Sequence, residues 1–248
     1  MSQFPTLSRP PIVEALIDCR LVPTADVSVE LLRSKVEALR RNSEVLEERR
    51  HFAAEFSVAS DGRRPSATSQ VDVSAFVLRD EASGRVRQFR RDGFTVSFLK
   101  DYSRWEQLEA EAVSALGSAT EWCSPSAISR LATRFINVLP LSESTGDLDK
   151  LLTVGPKLPG TAFSHVREFS YRTVMGTEDE NISGILNLGT YRTAPGQSVG
   201  LLVDVDVFTI EQLGVDEGEF SRVLAQLRGL KNSIFFGAVT AFALEPFQ

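Results

Sequence analysis

The sequence predicts an α+β protein in which two similar halves build one antiparallel sheet. Three observations indicate this class. Apolar and polar residues alternate in several short segments, which is typical of strands with one buried face. Each half ends in a longer segment with apolar residues at three- and four-residue spacing, which is typical of an amphipathic helix. The order of these patterns over residues 11–117 recurs over residues 128–243.

The first half begins with an alternating strand at residues 12–21. A surface helix follows, with apolar residues at helical spacing from Val29 to Leu39. The period then returns to two, which predicts half-buried strands at residues 51–58 and 69–78.

A hairpin and a helix complete the first half. Residues 85–98 hold Asp92-Gly93 between two alternating runs, and this dipeptide predicts a hairpin with a type I′ turn. An apolar stripe then predicts a helix that starts near Arg104. The stripe consists of Trp105, Leu108, Ala112 and Leu116.

The second half repeats this order after a linker at residues 118–127. Its first strand lies in residues 127–140, and a short helix follows at residues 148–152. Further strands are predicted at residues 164–175, 183–189 and 200–208, and a long helix carries Phe220, Val223, Leu227, Leu230 and Ile234 on one stripe. The chain therefore divides into a first repeat (1–117) and a second repeat (128–248), joined in one compact unit.

Each repeat has the order β-α-β(3–4)-α. Sheets with one apolar and one polar face are normally antiparallel, with helices on only one side. The duplicated order resembles the topology of TATA-binding-type and helix-grip folds, in which a curved sheet offers its concave side to a ligand. The resemblance implies a concave, polar sheet face opposite the helices, and it fixes no ligand.

The composition of the chain limits the cellular compartments and the classes of partner that we expect. The 248 residues are 42% hydrophobic and 24% charged, with a net charge of −6, which disfavours attraction to nucleic-acid phosphates and anionic membranes. The two cysteines are too few for a disulfide framework, and the start MSQFPTLSRPP lacks the features of a secretory signal. No apolar run approaches the ~18 residues of a membrane-spanning helix. We expect a cytoplasmic protein without a cofactor.

Five sequence blocks carry a family resemblance: PPIVEALIDCRL, GFTVSFLKDYSRWEQL, RLATRFINVLPL, LLVDVDVF and LRGLKNSIFF. With these blocks the chain resembles a sporadically distributed prokaryotic family of uncharacterised proteins of similar length, which begin with a PPIxEALID-type strand. The resemblance covers nearly the whole chain. It implies a bacterial or archaeal cytoplasmic protein with a shared architecture, and it assigns no catalytic residues.

The first strands of the two halves carry opposite charges at matching positions. Glu14 and Asp18 lie in the first half, and Arg130 and Arg134 lie in the second. If these strands pair about a pseudo-twofold axis, their side chains form cross-strand ion pairs that fix the relation of the halves. The sequence therefore predicts a structural role for this set.

The alternative role for these arginines is to bind a phosphate-containing ligand on the concave face. The predicted ligand-binding residues are Arg20, Arg130, Arg134 and Arg172. Asp204 and Asp206 project from one side of a strand, a spacing that holds divalent cations in phosphoryl-transfer enzymes. Alternating aspartates on a solvated face are commoner, and no glycine-rich phosphate loop accompanies them. A metal site is therefore the disfavoured interpretation.

Four arginines cluster around Phe89 on the predicted hairpin. They are Arg85, Arg87, Arg90 and Arg91. A basic hairpin with an aromatic residue suits a nucleic-acid backbone or an acidic protein partner. Most charged hairpins are solvated edge strands, however, so nucleic acid is a disfavoured partner.

The final helix and the absence of a catalytic motif complete the functional hypothesis. The apolar side of that helix widens from Ile234 to Val239, which predicts a homodimer through the C-terminal helix. We interpret the chain as a non-enzymatic binding or protein-interaction module of the prokaryotic cytosol, in the manner of a defence or toxin–antitoxin component. The alternative is an enzyme or sensor for a nucleotide or another phosphate ligand on the concave sheet face.

Overall fold

A single nine-stranded antiparallel sheet with four α-helices makes up the part of the chain that the structure describes. The computed structural model describes residues 4–57, 66–99, 102, 104–141, 148–157, 166–178, 180–192 and 199–248, without the side chains of residues 53–57 and 66–70. The strand order is β2-β3-β4-β5-β1-β6-β9-β8-β7. This architecture confirms the α+β class and the antiparallel sheet.

The strands are β1 (Ile12–Pro23), β2 (Val45–Ser57), β3 (Ser66–Asp80), β4 (Arg85–Arg90), β5 (Gly93–Phe98), β6 (Pro125–Pro140), β7 (Ser170–Gly176), β8 (Ile182–Tyr191) and β9 (Gly200–Thr209). The α-helices are α1 (Val29–Ala38), α2 (Trp105–Cys123), α3 (Glu217–Ala238) and α4 (Ala241–Leu244), with single 3-10 turns at Leu148–Lys150 and Glu245–Phe247. Among the described residues, none of the helices has the length and apolar character to cross a membrane.

The first strands of the two predicted halves lie side by side at the centre of the sheet. β1 and β6 pair antiparallel, with Ala15 opposite Phe135 and Ile17 opposite Thr133. β5 flanks β1 on one side, and β9 flanks β6 on the other. Strands β1–β5 therefore form one side of the sheet and strands β6–β9 form the other.

Alternation along the central strands separates a buried face from a more polar one. Ile17 and Cys19 of β1 and Leu131 and Phe135 of β6 are almost fully buried in one hydrophobic core. The helices cover this core: α1 contacts β3 and β4, α2 contacts β1 and β5, and α3 contacts β6, β8 and β9. The intervening side chains occupy the opposite face.

Helix α2 extends through most of the predicted linker at residues 118–127. It ends at Cys123, and β6 begins at Pro125. Glycine and serine in this segment favour a loop, but Ala119 and Trp122 are buried, so the apolar stripe continues past Gly117. Ser124, with a φ of 39°, ends the helix. Burial against the sheet outweighs local turn propensity here.

The β4–β5 hairpin lies where the sequence predicts it, but its turn differs from the predicted type I′. Arg90 pairs with Gly93, so Arg91 and Asp92 are the central residues. The type I′ turn requires positive φ at both central residues, and the described non-glycine residues with positive φ lie elsewhere. Gly93 itself has a φ of 145°, and a Cβ atom there would lie 2.0 Å from the carbonyl oxygen of Cys19. The close approach of β1 therefore requires this glycine.

Two elements of the second half are shorter than predicted. The helix expected at residues 148–152 is a single 3-10 turn, because Leu152 forms an antiparallel bridge with Val239. The strand expected at residues 164–175 begins at Ser170, where its pairing with β8 begins. Residues 164 and 165 lie outside the described part of the chain.

Candidate functional site

The sheet face opposite the helices carries a connected polar network, and we call it the open face. Asp18 of β1 is its central acceptor. The Nη2 atom of Arg90 donates to Asp18 at 2.8 Å, the hydroxyl of Thr95 at 2.6 Å and the Nη1 atom of Arg130 at 3.3 Å. Asp18 therefore ties four strands together, since its partners lie on β4, β5 and β6.

Arg130 extends the network from β1 to β9. Its Nη2 atom donates to Oδ2 of Asp206 at 3.1 Å, and its guanidinium carbon lies 4.4 Å from the centroid of the Phe208 ring. Burial raises the pKa of Asp206, while the positive charges of Arg130 and Arg134 act to lower it. Asp206 Oδ1 is buried and has no hydrogen-bond partner among the described residues.

Arg134 extends the network towards the edge strand β7. Its Nε and Nη2 atoms donate to the two oxygens of Asp204 at 2.8 and 2.7 Å. Asn187 on β8 donates to Asp204 at 3.0 Å, and Arg172 on β7 donates to Asn187 Oδ1 at 3.0 Å. The hydrogen bond to Asp204 raises the pKa of Arg134. A bidentate pair of this kind holds the guanidinium in a fixed orientation.

The four residues predicted to form cross-strand ion pairs share the open face, and one pair of them is in contact. Arg130 contacts Asp18, whereas Arg134 binds Asp204. Asp18 lies opposite Ala132, so Arg130 and Arg134 are both its diagonal neighbours, and the carboxylates of β9 divide the two arginines between them. Glu14 contributes to the raised pKa of Arg134 through its charge.

A cleft of about 540 Å³ opens on this face and is lined mainly by residues of β1–β6, with Asp206 of β9. Two of the predicted ligand-binding arginines, Arg130 and Arg134, line it, and Arg20 and Arg172 do not. Its charged lining residues are Glu14, Asp18, Arg49, Arg79, Arg130, Arg134 and Asp206. Arg20 instead binds Asp92, with a shortest distance of 3.0 Å.

Arg49 and Arg79 also line the cleft, although they were not among the residues predicted from the sequence to bind a ligand. Each is one charged residue among several in a long strand, and this sequence pattern is too common to mark either one as a cleft residue. The Nε atom of Arg79 donates to Glu47 at 3.3 Å. Arg49 is exposed, and no carboxylate of the described residues lies within 4.0 Å of its guanidinium. Arg49 is therefore the cleft cation with the least compensated charge.

The four arginines of the predicted basic patch do not share one surface. Arg87 is buried on the helix side and bonds both carboxylate oxygens of Glu44, at 3.0 and 2.6 Å. Arg90 is buried on the open face, where it binds Asp18. The period of two separates these faces. The other two pair with carboxylates: Arg85 with Glu111 at 3.6 Å and Arg91 with Asp72 at 2.7 Å.

The two aspartates considered as metal ligands both have arginine partners, namely Arg134 for Asp204 and Arg130 for Asp206. Both oxygens of Asp204 accept hydrogen bonds from protein groups. The described residues contain no group of three or more His, Cys, Asp or Glu side chains arranged to hold a metal ion.

The apolar side of α3, from which the sequence predicts a dimer, is largely covered by the chain itself. Phe235 and Ala238 are buried in the core. The ring of Phe236 stacks on Phe4 of the N-terminal segment, with centroids 5.4 Å apart. The width of the apolar stripe is thus explained by two contacts, one with the sheet and one with the N-terminal segment.

Fold and site together define an α+β protein with an antiparallel sheet, whose open face carries an arginine–carboxylate network and a cleft. Comparisons of the chain with protein-family models, with curated proteins and with solved structures gave no match.

Proposed function

We propose that this chain is a non-enzymatic protein-interaction module that binds a polypeptide segment of a partner in the cleft of the open face. The observation that carries the proposal is the cleft itself, which presents arginines and carboxylates within one preformed volume of about 540 Å³. Donors and acceptors in one cleft suit the mixed polar groups of a polypeptide. The network beneath the cleft fixes several of these side chains, which lowers the entropy lost on binding.

The charge balance supports a polypeptide rather than a nucleic acid. Binding to a phosphate backbone depends on cations that displace its counterions. Arg79, Arg130 and Arg134 are each paired with a carboxylate, and the whole chain has a net charge of −6. Little uncompensated positive charge therefore remains on the open face to attract a polyanion.

Two further features of the proposal concern architecture. The two halves are pseudo-repeats in a sheet of TATA-binding-type topology, which is supported by the mirrored positions of β5 beside β1 and β9 beside β6. The open face is concave. In a flat sheet, strand spacings of about 4.8 Å would separate β2 from β6 by roughly 24 Å, yet Arg49 of β2 and Arg130 of β6 line one cleft.

The biological setting follows from the family resemblance. We place the module in the cytosol of a bacterium or archaeon, within a defence or toxin–antitoxin type system. A homodimer through α3 stays a prediction, and light scattering tests it, since a mass equal to one chain would remove it.

A charge reversal on the open face tests the proposed function. Arg49→Glu changes the exposed cleft arginine, and Arg50→Glu is the matched control. Arg50 is an exposed neighbour in the same strand, and it pairs with Glu48, which also binds Arg33 of α1 on the helix side. Both variants and the wild type are purified gently from the natural host and examined by native mass spectrometry. We expect Arg50→Glu to retain a copurifying polypeptide and Arg49→Glu to lose it.

A second candidate function is a sensor or enzyme for a nucleotide or another phosphate ligand. The exposed guanidinium of Arg49 inside the cleft, which has no carboxylate partner among the described residues, favours it, and the cleft volume falls in the range of small-molecule sites. In the same experiment, a retained nucleotide that is lost from Arg49→Glu supports this candidate. A polypeptide or nucleotide held equally by both variants contradicts binding at the cleft.

A further inference from the structure

A second cavity lies on the helix side of the sheet, independent of the open face. It has a volume of about 250 Å³, opens to solvent and is lined by the N-terminal segment, the start of α2, β6 and α3. Six aromatic side chains contribute to its walls: Phe4, Tyr102, Trp105, Phe135, Phe235 and Phe236. Since an engineered apolar cavity of about 150 Å³ holds benzene, this one has room for an aromatic ring with a substituent.

A single lysine, Lys231 of α3, contributes its side chain to this aromatic cavity. Lys231 is 9% exposed, and its Nζ atom lies 3.8 Å from the centroid of the Phe135 ring. Among the described residues, no carboxylate lies within 4.0 Å of this nitrogen. The position was readable in the sequence, because Lys231 lies four residues after Leu227 and four before Phe235, both of which are buried.

The charged groups around the cavity do not neutralise Lys231. From α2 and its cap the cavity is lined by Glu106 and Arg104, and from α3 by Arg228. Glu106 pairs with Arg228, at 3.6 Å. Burial is the main cause that lowers the pKa of Lys231, to about 7, and the charge of Arg228 lowers it further. The phenol of Tyr102 stays protonated at neutral pH, since burial raises its pKa to about 12.

An amine in this environment differs chemically from a surface lysine. Near pH 7 the lowered pKa gives Lys231 a substantial neutral fraction with a free lone pair, whereas an ordinary lysine, with a pKa of about 10.4, is neutral in fewer than one molecule in a thousand. Desolvated amines of this kind are the ones that proteins use to attack carbonyl groups. Burying an unpaired lysine also costs stability, and a methionine at this position would fill similar space without that cost.

We propose that Lys231 is a nucleophilic amine that forms a Schiff base with a small aldehyde or ketone carrying an aromatic or apolar body. The Nζ lone pair attacks the carbonyl carbon and gives a carbinolamine. Loss of the former carbonyl oxygen with two hydrogens, as water, leaves the C=N bond. The rings of the cavity hold the apolar body, and the burial of Lys231 limits the access of water to the imine.

Reductive trapping tests this site without knowledge of the natural ligand. The intact protein is treated at pH 7 with benzaldehyde and sodium cyanoborohydride, and peptide mapping by mass spectrometry follows the labelling rate at each of the five lysines. Lys35 and Lys150, which line no part of the cavity, serve as internal controls. We expect Lys231 to be labelled at least tenfold faster than either control.

Labelling with a second aldehyde distinguishes the reactivity of the amine from the binding contributed by the cavity. Formaldehyde has no apolar body, so its preference for Lys231 over Lys35 reports the reactivity of the amine alone. The preference measured with benzaldehyde should exceed it severalfold, because the aromatic walls bind the ring. Equal labelling of Lys231 and Lys35 by benzaldehyde would overturn the proposal. So would a benzaldehyde preference no larger than that of formaldehyde, because the cavity would then contribute nothing.

Discussion

The most deeply buried charged pair in the described chain joins Arg87 of β4 to Glu44, just before β2. Their side chains are 8% and 3% exposed, and two hydrogen bonds link them. Glu44 also accepts from the backbone N–H of Arg41, and Arg87 donates to the carbonyl oxygen of Leu39. The pair thus provides hydrogen-bond partners for the backbone between α1 and β2, a segment without regular secondary structure.

Removing the carboxylate of this pair should be costly. Glu44→Ala leaves the guanidinium of Arg87 buried without its counter-charge, and we expect the free energy of unfolding to fall by about 3–5 kcal/mol. Urea denaturation followed by circular dichroism measures it. The control is Glu47→Ala, which removes the exposed partner of Arg79 and should cost less than about 1 kcal/mol. Equal losses in the two variants would contradict the role assigned to burial.

Lys231 makes a pH-dependent contribution to stability whose sign follows from its lowered pKa. Between about pH 7, its folded pKa, and 10.5, its ordinary value, the unfolded chain binds the proton and the folded chain does not. Stability therefore rises with pH in this window. Relative to Lys231→Met, which lacks the titrating group, the wild-type free energy of unfolding should gain about 2 kcal/mol from pH 7 to pH 9.

Urea titrations of the wild type and Lys231→Met at both pH values measure this difference, because titration of the other groups cancels between the two proteins. Lys35→Met, at a half-buried position on the surface helix α1, is the matched substitution with which the Lys231→Met variant is compared. A constant difference between wild type and Lys231→Met across this pH range would contradict the lowered pKa.

At the scale of single elements, the contact between β1 and β5 depends on one glycine. Gly93→Ala places a Cβ atom against the carbonyl of Cys19 and forces an alanine to a φ of 145°. We expect a loss of about 3 kcal/mol in the free energy of unfolding, from backbone strain and overpacking together. Thermal and urea denaturation measure it.

Gly117→Ala is the matched control for this substitution. Gly117 lies inside α2, and a Cβ atom there meets nothing within 4 Å. The replacement should stabilise the protein by about 0.5–1 kcal/mol, because alanine is the better helix former. Destabilisation by Gly117→Ala, or a neutral Gly93→Ala, would contradict the packing described for these elements.

The ends of the strands and helices show where the local pattern of apolar residues does not suffice to predict the structure. The alternation in residues 200–208 predicts β9 almost to its observed bounds, because a buried face repeats every second residue. The predicted end of α2 is too early, because Gly117 and Ser118, with Ser124 and Pro125 just beyond the helix, indicate a loop when read locally. Burial of Trp122 and Cys123 decides the outcome, and that burial depends on distant strands.

At the scale of the whole molecule, the two sides of the sheet share one core and meet at the β1–β6 seam. We therefore expect one cooperative unfolding transition. Both tryptophans, Trp105 and Trp122, lie on α2, so their fluorescence reports the first half, whereas far-ultraviolet circular dichroism reports the entire chain. The urea midpoints from the two probes should coincide. Two separated midpoints would show that the halves unfold independently.

The sequence by itself determined the alternation of the central strands and the apolar stripes of the long helices, because these periods are properties of neighbouring residues. It also placed Asp18, Arg130, Arg134, Asp204 and Asp206 on polar strand positions. Only the tertiary structure decided that Arg134 binds Asp204, seventy residues away, through the pairing of β6 with β9. The same holds for the surroundings of Lys231, since its cavity requires the N-terminal segment, α2, β6 and α3 together. Contacts between distant segments depend on register and packing, which no local period encodes.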